Sequence, residues 1–166
     1  MLKKLNLRRV DTKVPTMLYK VLLVGDAHVG KSALAHLMRT GDFLSDYFPT
    51  IGVKTTLVEF GNEESWIPIE LYEIGGMEKH EDIREEHYKD AHAVIVMYDL
   101  STAKGLYNAK FWLEDSKIPT ILVGNKMELI NGVQRKSPEF EISVKEKKNV
   151  KALFQHLRKI LEGKQL

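Results

Sequence analysis

The chain reads Gly25-Asp26-Ala27-His28-Val29-Gly30-Lys31-Ser32 between a short aliphatic run and a stretch with helical spacing. The aliphatic run, residues 18–24, predicts a buried strand, and residues 31–40 predict a helix that ends at Gly41. Glycines at this spacing let the backbone turn its N–H groups toward a phosphate, and the start of a helix adds partial positive charge. Strand, glycine turn and helix together therefore predict a loop that binds the phosphates of a nucleoside triphosphate.

Residues inside and beside this loop are candidate ligands of the nucleotide. Lys31 can bridge the terminal phosphates, and the Ser32 hydroxyl can coordinate Mg²⁺. His28 can contact a phosphate or simply face solvent, and the sequence leaves both interpretations open. The predicted lining on the phosphate side is Asp26, Ala27, His28, Val29, Gly30, Lys31, Ser32 and Ala33.

Strand-like and helix-like stretches alternate along the rest of the chain. Five further runs rich in aliphatic or β-branched residues predict strands: 50–60, 66–74, 94–99, 120–123 and 140–143. The first two are joined by a predicted hairpin turn at 61–64. Residues 78–90 predict a charged, exposed helix, and residues 149–161 predict an amphipathic one. This alternation predicts an α/β fold with a mostly parallel six-stranded sheet covered by helices on both faces.

The composition is that of one globular domain. The chain has 166 residues, of which 43% are hydrophobic and 29% are charged, and no apolar run has the length of a membrane span. It contains no cysteine, so disulfides, cysteine zinc sites and thiol-linked lipids have no attachment point. We therefore expect no lipid anchor. We expect a cytoplasmic monomer that reaches membranes through partners or through its N-terminal arm.

Residues 1–17 predict a basic extension that precedes the domain formed by residues 18–166. The basic side chains Lys3, Lys4, Arg8, Arg9 and Lys13 face a single acidic one, Asp11. Such an arm can approach an anionic membrane surface, or it can be a solvated tail. Because no aromatic residue interleaves the basic ones, we expect no nucleic acid as partner.

Four motifs stand in a recognisable order. After the phosphate loop come Tyr47-Phe48-Pro49-Thr50-Ile51-Gly52-Val53, Glu73-Ile74-Gly75-Gly76-Met77-Glu78, Val123-Gly124-Asn125-Lys126-Met127-Glu128 and Ser143-Val144-Lys145. This order resembles the small GTPase family from Tyr19 to Leu161, with the P-loop GTPase fold that the family implies. The string from Thr50 to Val53, and Ala91-His92 before the fourth strand, resemble the Rab branch.

The resemblance implies a guanine site. In it, Phe43 packs against the base, Asn125 contacts the N7 edge and ties loops together, and Lys126 lies over the ribose. The Glu128 carboxylate accepts from the N1–H and the 2-amino group of guanine, whereas adenine offers acceptors there and is rejected. The backbone of Ser143-Val144-Lys145 reaches O6.

The resemblance also implies a Mg²⁺ and γ-phosphate site for bound GTP or GDP. Ser32, Thr50 and Glu73 hold the metal, Gly76 donates its N–H to the γ-phosphate, and Tyr47 lines the nucleotide. Lys31, Thr50 and Gly76 are the residues expected to support hydrolysis. Loss of the γ-phosphate releases two segments, the first switch from Tyr47 to Val53 and the second switch from Glu73 to Glu78.

Partners are implied at the switches. The family binds effector proteins through surfaces that correspond here to Phe48 through Val58 and Gly76 through Asp90. It also implies an exchange factor and a GTPase-activating protein.

Three residues depart from the family pattern. Glu73 and Glu128 stand where the family has Asp, and Met77 stands where it has the Gln that orients the attacking water. A thioether cannot donate a hydrogen bond and accepts only weakly, so we predict slow hydrolysis. The short segments before residue 119 and between residues 128 and 143 predict a shortened third helix and a missing or reduced fourth one.

Two functional hypotheses remain open. The first is a Rab-like nucleotide-dependent switch with slow GTPase activity, acting in vesicle transport or intracellular signalling. The second is a pseudo-GTPase, a scaffold that holds nucleotide for structure and turns it over little or not at all. A P-loop kinase of small molecules leaves the guanine motifs unexplained.

Overall fold

A six-stranded sheet forms the centre of the computed structural model, which describes residues 17–61, 66–77, 79, 81–113, 117–130 and 139–163. The strands lie in the order β2-β3-β1-β4-β5-β6. All neighbours are parallel except β2 and β3, which pair antiparallel. The strands are β1 Tyr19–Gly25, β2 Val53–Gly61, β3 Trp66–Ile74, β4 Ala93–Asp99, β5 Thr120–Asn125 and β6 Phe140–Glu141. The predicted α/β fold with its mostly parallel sheet is confirmed.

Helices cover both faces of this sheet. They are α1 Lys31–Thr40, α2 Glu81–Tyr88, α3 Gly105–Leu113 and α4 Val150–Glu162. The side chains of β1 alternate between two cores, with Val21 and Leu23 in one and Leu22 and Val24 in the other, and all four have no exposed surface. This two-sided burial explains why a central parallel strand is apolar throughout rather than alternating.

Three elements differ in extent from the sequence prediction. The second strand begins at Val53 rather than Thr50. The Thr50 hydroxyl donates to the distant Glu73 and Gly52 adopts a φ of 70°, so the chain becomes extended only after them. The charged helix begins at Glu81 and ends at Tyr88, shorter than the predicted 78–90. The last predicted strand is only two residues long.

Only part of the connection between β5 and β6 is described. It contains one 3₁₀ turn, Met127–Leu129, and residues 131–138 lie outside the described residues. The third helix has nine residues. The hairpin turn predicted at 61–64 and the basic extension fall outside the description except for Gly61 and Met17. No helix in the described ranges combines the length and the apolar composition needed to cross a bilayer.

The fold gathers several loops at one edge. The parallel strands β1, β3, β4 and β5 all end with their carboxyl ends on the same side, where an open α/β sheet characteristically binds ligands. The phosphate loop follows β1, and the second switch lies at the end of β3. Asn125 is the last residue of β5, and Lys126 follows it. The predicted site segments therefore converge.

Candidate nucleotide-binding site

The phosphate loop is a tight turn that requires its glycines. Gly25 and Gly30 have φ values of 144° and 103°, which side chains rarely allow. A Cβ on Gly30 would collide with the side-chain amide of Asn125, and one on Gly25 with the carbonyl of Met97. Helix α1 starts directly after the loop, so its unpaired N–H groups point to the site.

Lys31 lies inside this loop with 6% of its surface exposed. Its Nζ donates to the carbonyls of Gly25 at 2.8 Å and Asp26 at 2.6 Å. Burial lowers the pKa of the ammonium to about 8, although the carboxylates of Glu73 and Asp26 counteract that effect. A buried cation with two carbonyl partners can turn to phosphate oxygens, which would compensate its charge more fully.

Three oxygen atoms from distant parts of the chain meet beside Lys31. The hydroxyls of Ser32 and Thr50 both donate to Oε1 of Glu73, the latter at 2.8 Å, and the two hydroxyl oxygens lie 3.3 Å apart. Glu73 is 2% exposed, and its Oε2 has no hydrogen-bond partner among the described residues. In octahedral Mg²⁺ sites with metal–oxygen distances near 2.1 Å, neighbouring ligands are about 3 Å apart. The separations that Thr50 makes with Ser32 and Glu73 are of this size, and the three side chains offer the oxygen ligands that Mg²⁺ prefers.

The two switch segments also touch through their backbones. The Gly75 N–H donates to the Gly52 carbonyl at 2.8 Å. A Cβ on Gly75 would strike the Thr50 carbonyl, and one on Gly76 would strike the backbone of Asp26 and Ala27. Gly76 is thus packed against the phosphate loop, where its N–H was predicted to reach a γ-phosphate.

The tip of the second switch is open by comparison. Met77 has 82% of its surface exposed. It lines a cleft of about 390 Å³ together with Asp26, Ala27, Gly76 and Lys79. Lys79 forms an ion pair with Asp26 at the edge of this cleft.

On the base side, Asn125 joins two loops. Its Nδ2 donates to the Val29 carbonyl at 2.9 Å, and its Oδ1 accepts from the Val144 N–H at 3.1 Å. Asn125 is 4% exposed, so both hydrogen bonds are shielded from water. The structure thus brings the phosphate loop and the Ser143-Val144-Lys145 segment together through one amide, in line with the loop-tying role expected of it.

Lys126 has a partner that the sequence analysis did not identify. Its Nζ lies 2.7 Å from Oδ2 of Asp99, the last residue of β4. Burial alone would raise the pKa of Asp99, but hydrogen bonds from Lys126 and Ser101 outweigh it and hold the pKa below its usual value. The sequence did offer one indication of this contact: Asp99 comes at the carboxyl end of a predicted parallel strand, where such sheets bind ligands.

Glu128 lies in the 3₁₀ turn, and its Oε2 is buried without a hydrogen-bond partner in the described part of the chain. Ser143 is fully buried and accepts the N–H of Glu146 through its hydroxyl, Val144 is buried, and Lys145 is exposed. An unpaired buried carboxylate oxygen is costly, and ligand donors would satisfy it.

The first switch and the segment before it supply the last two predicted contacts. Phe43 is 36% exposed, and Tyr47 packs its ring against that of His28 with centroids 4.2 Å apart. Lys147 of the base-side loop donates to the Gly41 carbonyl at 2.8 Å, so this loop lies beside the turn that ends helix α1.

A glycine-rich phosphate loop at the edge of a parallel sheet, joined by an Asn to the segments after β5 and β6, defines a P-loop nucleotide-binding protein of the GTPase class. The sequence pattern of the Ras family matches residues 20–162, and the chain belongs to that family, in its Rab-like branch. The resemblance to the small GTPase family, in its Rab-like branch, is confirmed.

The chain is also similar to individual Ras-related and GTP-binding proteins. The chain is 30% identical to the Ras-related protein RabC of Dictyostelium discoideum, over 89% of this chain and 85% of RabC. It is 32% identical to the Ras-related protein RIC1 of Oryza sativa subsp. japonica, over 68% of this chain and 58% of RIC1. It is 30% identical to the GTP-binding protein ypt1 of Schizosaccharomyces pombe, over 69% of this chain and 59% of ypt1. The chain thus spans less than two thirds of the last two proteins.

Proposed function

We propose that this chain is a guanine-nucleotide-dependent switch that binds GTP or GDP with Mg²⁺ and hydrolyses GTP slowly. The observation that carries the proposal is the convergence of Ser32, Thr50 and Glu73 next to a buried Lys31. A cation-ready oxygen cluster beside a phosphate-ready ammonium is what a Mg²⁺-nucleotide requires.

On the phosphate side, the loop backbone and Lys31 would bind the β- and γ-phosphates. Ser32, Thr50 and Glu73 would hold the metal, which supplies charge neutralisation between the phosphates when bound. Glu73 departs from the usual Asp, but its longer side chain reaches both hydroxyls in this fold. The substitution is therefore compatible with metal binding.

On the base side, the unpaired Oε2 of Glu128 supports the proposed contact with the two guanine donors. Lys126, held by Asp99, is positioned beside the same segment, and its stem would lie over the ribose. Phe43, Asn125 and the backbone of Ser143-Val144-Lys145 complete the proposed guanine pocket.

Hydrolysis would be weak because nothing at position 77 can orient water. Met77 lies in solvent and carries no strong hydrogen-bonding group. Lys31, Thr50 and Gly76 would still position the phosphates, so catalysis would rest on electrostatic stabilisation alone. We infer a turnover below roughly 10⁻⁴ s⁻¹ without assistance.

The second candidate is the scaffold, which binds nucleotide but barely cycles. The exposure of Met77 favours it, whereas the oxygen cluster of Ser32, Thr50 and Glu73 favours a switch whose state depends on the γ-phosphate. Under either reading, partners would bind the segments from Phe48 to Val58 and from Gly76 to Asp90. Phe48 and Ile51, exposed by 74% and 89%, give the first of these an apolar character suited to effectors, an exchange factor or a GTPase-activating protein. A place in cytoplasmic vesicle transport belongs to the same proposal.

Two measurements test the proposal. Competition of GTP and ATP against a labelled guanine nucleotide should favour GTP by at least about 100-fold, because adenine would leave Glu128 facing an acceptor. Equal competition would show that Glu128 does not read the base. Single-turnover hydrolysis of preloaded GTP then separates the hypotheses: slow conversion supports the switch, and stable retention of GTP supports the scaffold.

A further inference from the structure

The phosphate loop and the first switch meet through two aromatic rings. The centroids of His28 and Tyr47 are 4.2 Å apart and their planes are inclined by 30°, which is a tilted stack. His28 belongs to the glycine-rich loop, and Tyr47 is 19 residues further along the chain, in a segment without helix or strand. The pair therefore joins the phosphate loop to the first switch, in addition to the contact between the hydroxyls of Ser32 and Thr50.

The backbone of His28 is unusual for a side chain of this size. Its φ is 65°, in the left-handed region that favours glycine and disfavours residues with a Cβ. A residue kept in such a conformation at a functional loop is expected to have a compensating interaction. The stack with Tyr47 is the interaction that the structure provides.

The neighbours of Tyr47 show how localised this attachment is. Phe48, directly after it, is 74% exposed, and Ile51 is 89% exposed, whereas Tyr47 is 45% exposed. Further along, the switch is attached through Thr50, which donates to Glu73, and through Gly52, which accepts from Gly75. Tyr47 is thus the attachment nearest the start of the switch, and it is made to the phosphate loop itself.

We propose that His28 and Tyr47 form an aromatic latch that closes the first switch over the phosphate loop and slows the release of bound guanine nucleotide. The inference rests on the proposed nucleotide binding and adds a pair of positioning residues to it. A nucleotide whose phosphates lie in the loop must leave past the segment that carries Tyr47, so the stack must open before release. Neither ring needs to touch the nucleotide for this effect.

The strength of one aromatic stack sets the expected size of the effect. Loss of the stack should raise the rate of nucleotide release by roughly 2- to 10-fold. The variants His28→Ala and Tyr47→Ala should each show this increase, and the double variant should release no faster than either alone. Conservative variants that keep a ring, His28→Phe and Tyr47→Phe, should release more slowly than the corresponding alanine variants.

The experiment follows the dissociation of a fluorescent GDP from the full chain after addition of excess unlabelled GDP. Tyr107→Ala on α3 is the matched control, because Tyr107 is 70% exposed and far along the chain from the loop. Thermal unfolding of each nucleotide-free variant identifies any general loss of stability. Wild-type release rates in both alanine variants would overturn the latch, as would a double variant whose acceleration equals the product of the two single ones. Failure of the wild-type chain to bind the labelled GDP at all would instead overturn the proposed function.

Discussion

The base and the tip of the second switch differ sharply, although Glu73 and Met77 are only four positions apart. Glu73 is 2% exposed and accepts hydrogen bonds from two hydroxyls, while Met77 is 82% exposed and extends into an open cleft. Both depart from the family pattern, so the sequence alone gives them equal weight. Their surroundings separate them, because a substitution that is integrated into side-chain contacts can keep its function and one left in solvent cannot replace a lost amide.

The difference separates two tasks of the site. The parts that would bind phosphate, metal and base are built around buried side chains that have hydrogen-bond partners in the protein, among them Lys31, Glu73 and Asn125. The part that would position the attacking water has no such side chain at residue 77. Binding and hydrolysis can therefore be altered separately, and the following predictions use that separation.

The largest effect is expected at Lys31. Replacing it with Ala removes the ammonium that would bind the terminal phosphates, and a charged hydrogen bond of this kind corresponds to about 10- to 100-fold in affinity. The measurement is nucleotide retained after purification, together with the affinity for labelled GDP. Lys151→Ala, on the exposed surface of α4, is the control. Unchanged retention in Lys31→Ala would refute the phosphate-binding assignment.

The second largest effect is expected at Glu73, on the affinity for Mg²⁺. Glu73→Ala removes the carboxylate that joins Ser32 and Thr50, so the Mg²⁺ concentration needed for half-maximal nucleotide retention should rise by about 10-fold or more. Glu73→Asp should lie between this variant and the wild type, because the shorter side chain reaches the two hydroxyls less well. If Asp instead binds Mg²⁺ more tightly than Glu, then Glu73 is a defect and the contrast with Met77 disappears.

Met77→Gln tests the other side of the comparison and should have a smaller effect. The restored amide can orient a water molecule, and we expect single-turnover hydrolysis to accelerate by up to about 10-fold while the affinities for GDP and GTP stay within about 2-fold. Met77→Leu, which adds no hydrogen-bonding group, is the control. A wild-type rate already above roughly 10⁻³ s⁻¹ would show that another group, for example His28, positions the water.

The sequence was sufficient to predict the fold, including the strand, turn and helix around the phosphate loop. The phosphate loop and its flanking strand and helix are local patterns, and the family order of the motifs fixed the rest of the sheet. Boundaries failed where a tertiary contact decides them, as at Thr50, whose hydroxyl bonds Glu73 and whose neighbour Gly52 takes a positive φ.

Pairings between distant residues could not be predicted in the same way. Asp99 and Lys126 are 27 positions apart, His28 and Tyr47 are 19 apart, and no pattern in the sequence links either pair. That Glu73 reaches two hydroxyls depends on how closely the first switch approaches β3, which is a property of packing. The roles assigned to Phe43, Glu128 and Lys145 stay predictions until nucleotide binding is measured.

The smallest effect concerns the nucleotide-free protein and the cost of burying Lys31. Its pKa is about 8 in the folded chain and about 10.5 when exposed, so between these values the unfolded chain binds more protons than the folded one. Stability must then rise with pH across this window, by at most about 1.4 kcal/mol per pH unit from this group. From pH 8 to pH 9 we expect the wild type to gain about 1 kcal/mol of unfolding free energy relative to Lys31→Met, or a few degrees in Tm.

Denaturation of both proteins without nucleotide at each pH measures this difference. The contributions of all titratable groups that the two proteins share cancel in it. Saturating GDP should remove it if phosphates bind Lys31, because they would raise its pKa toward or above the unfolded value. A pH dependence that is the same in the two proteins would mean that Lys31 remains charged throughout, and that the phosphate loop already compensates its charge without a ligand.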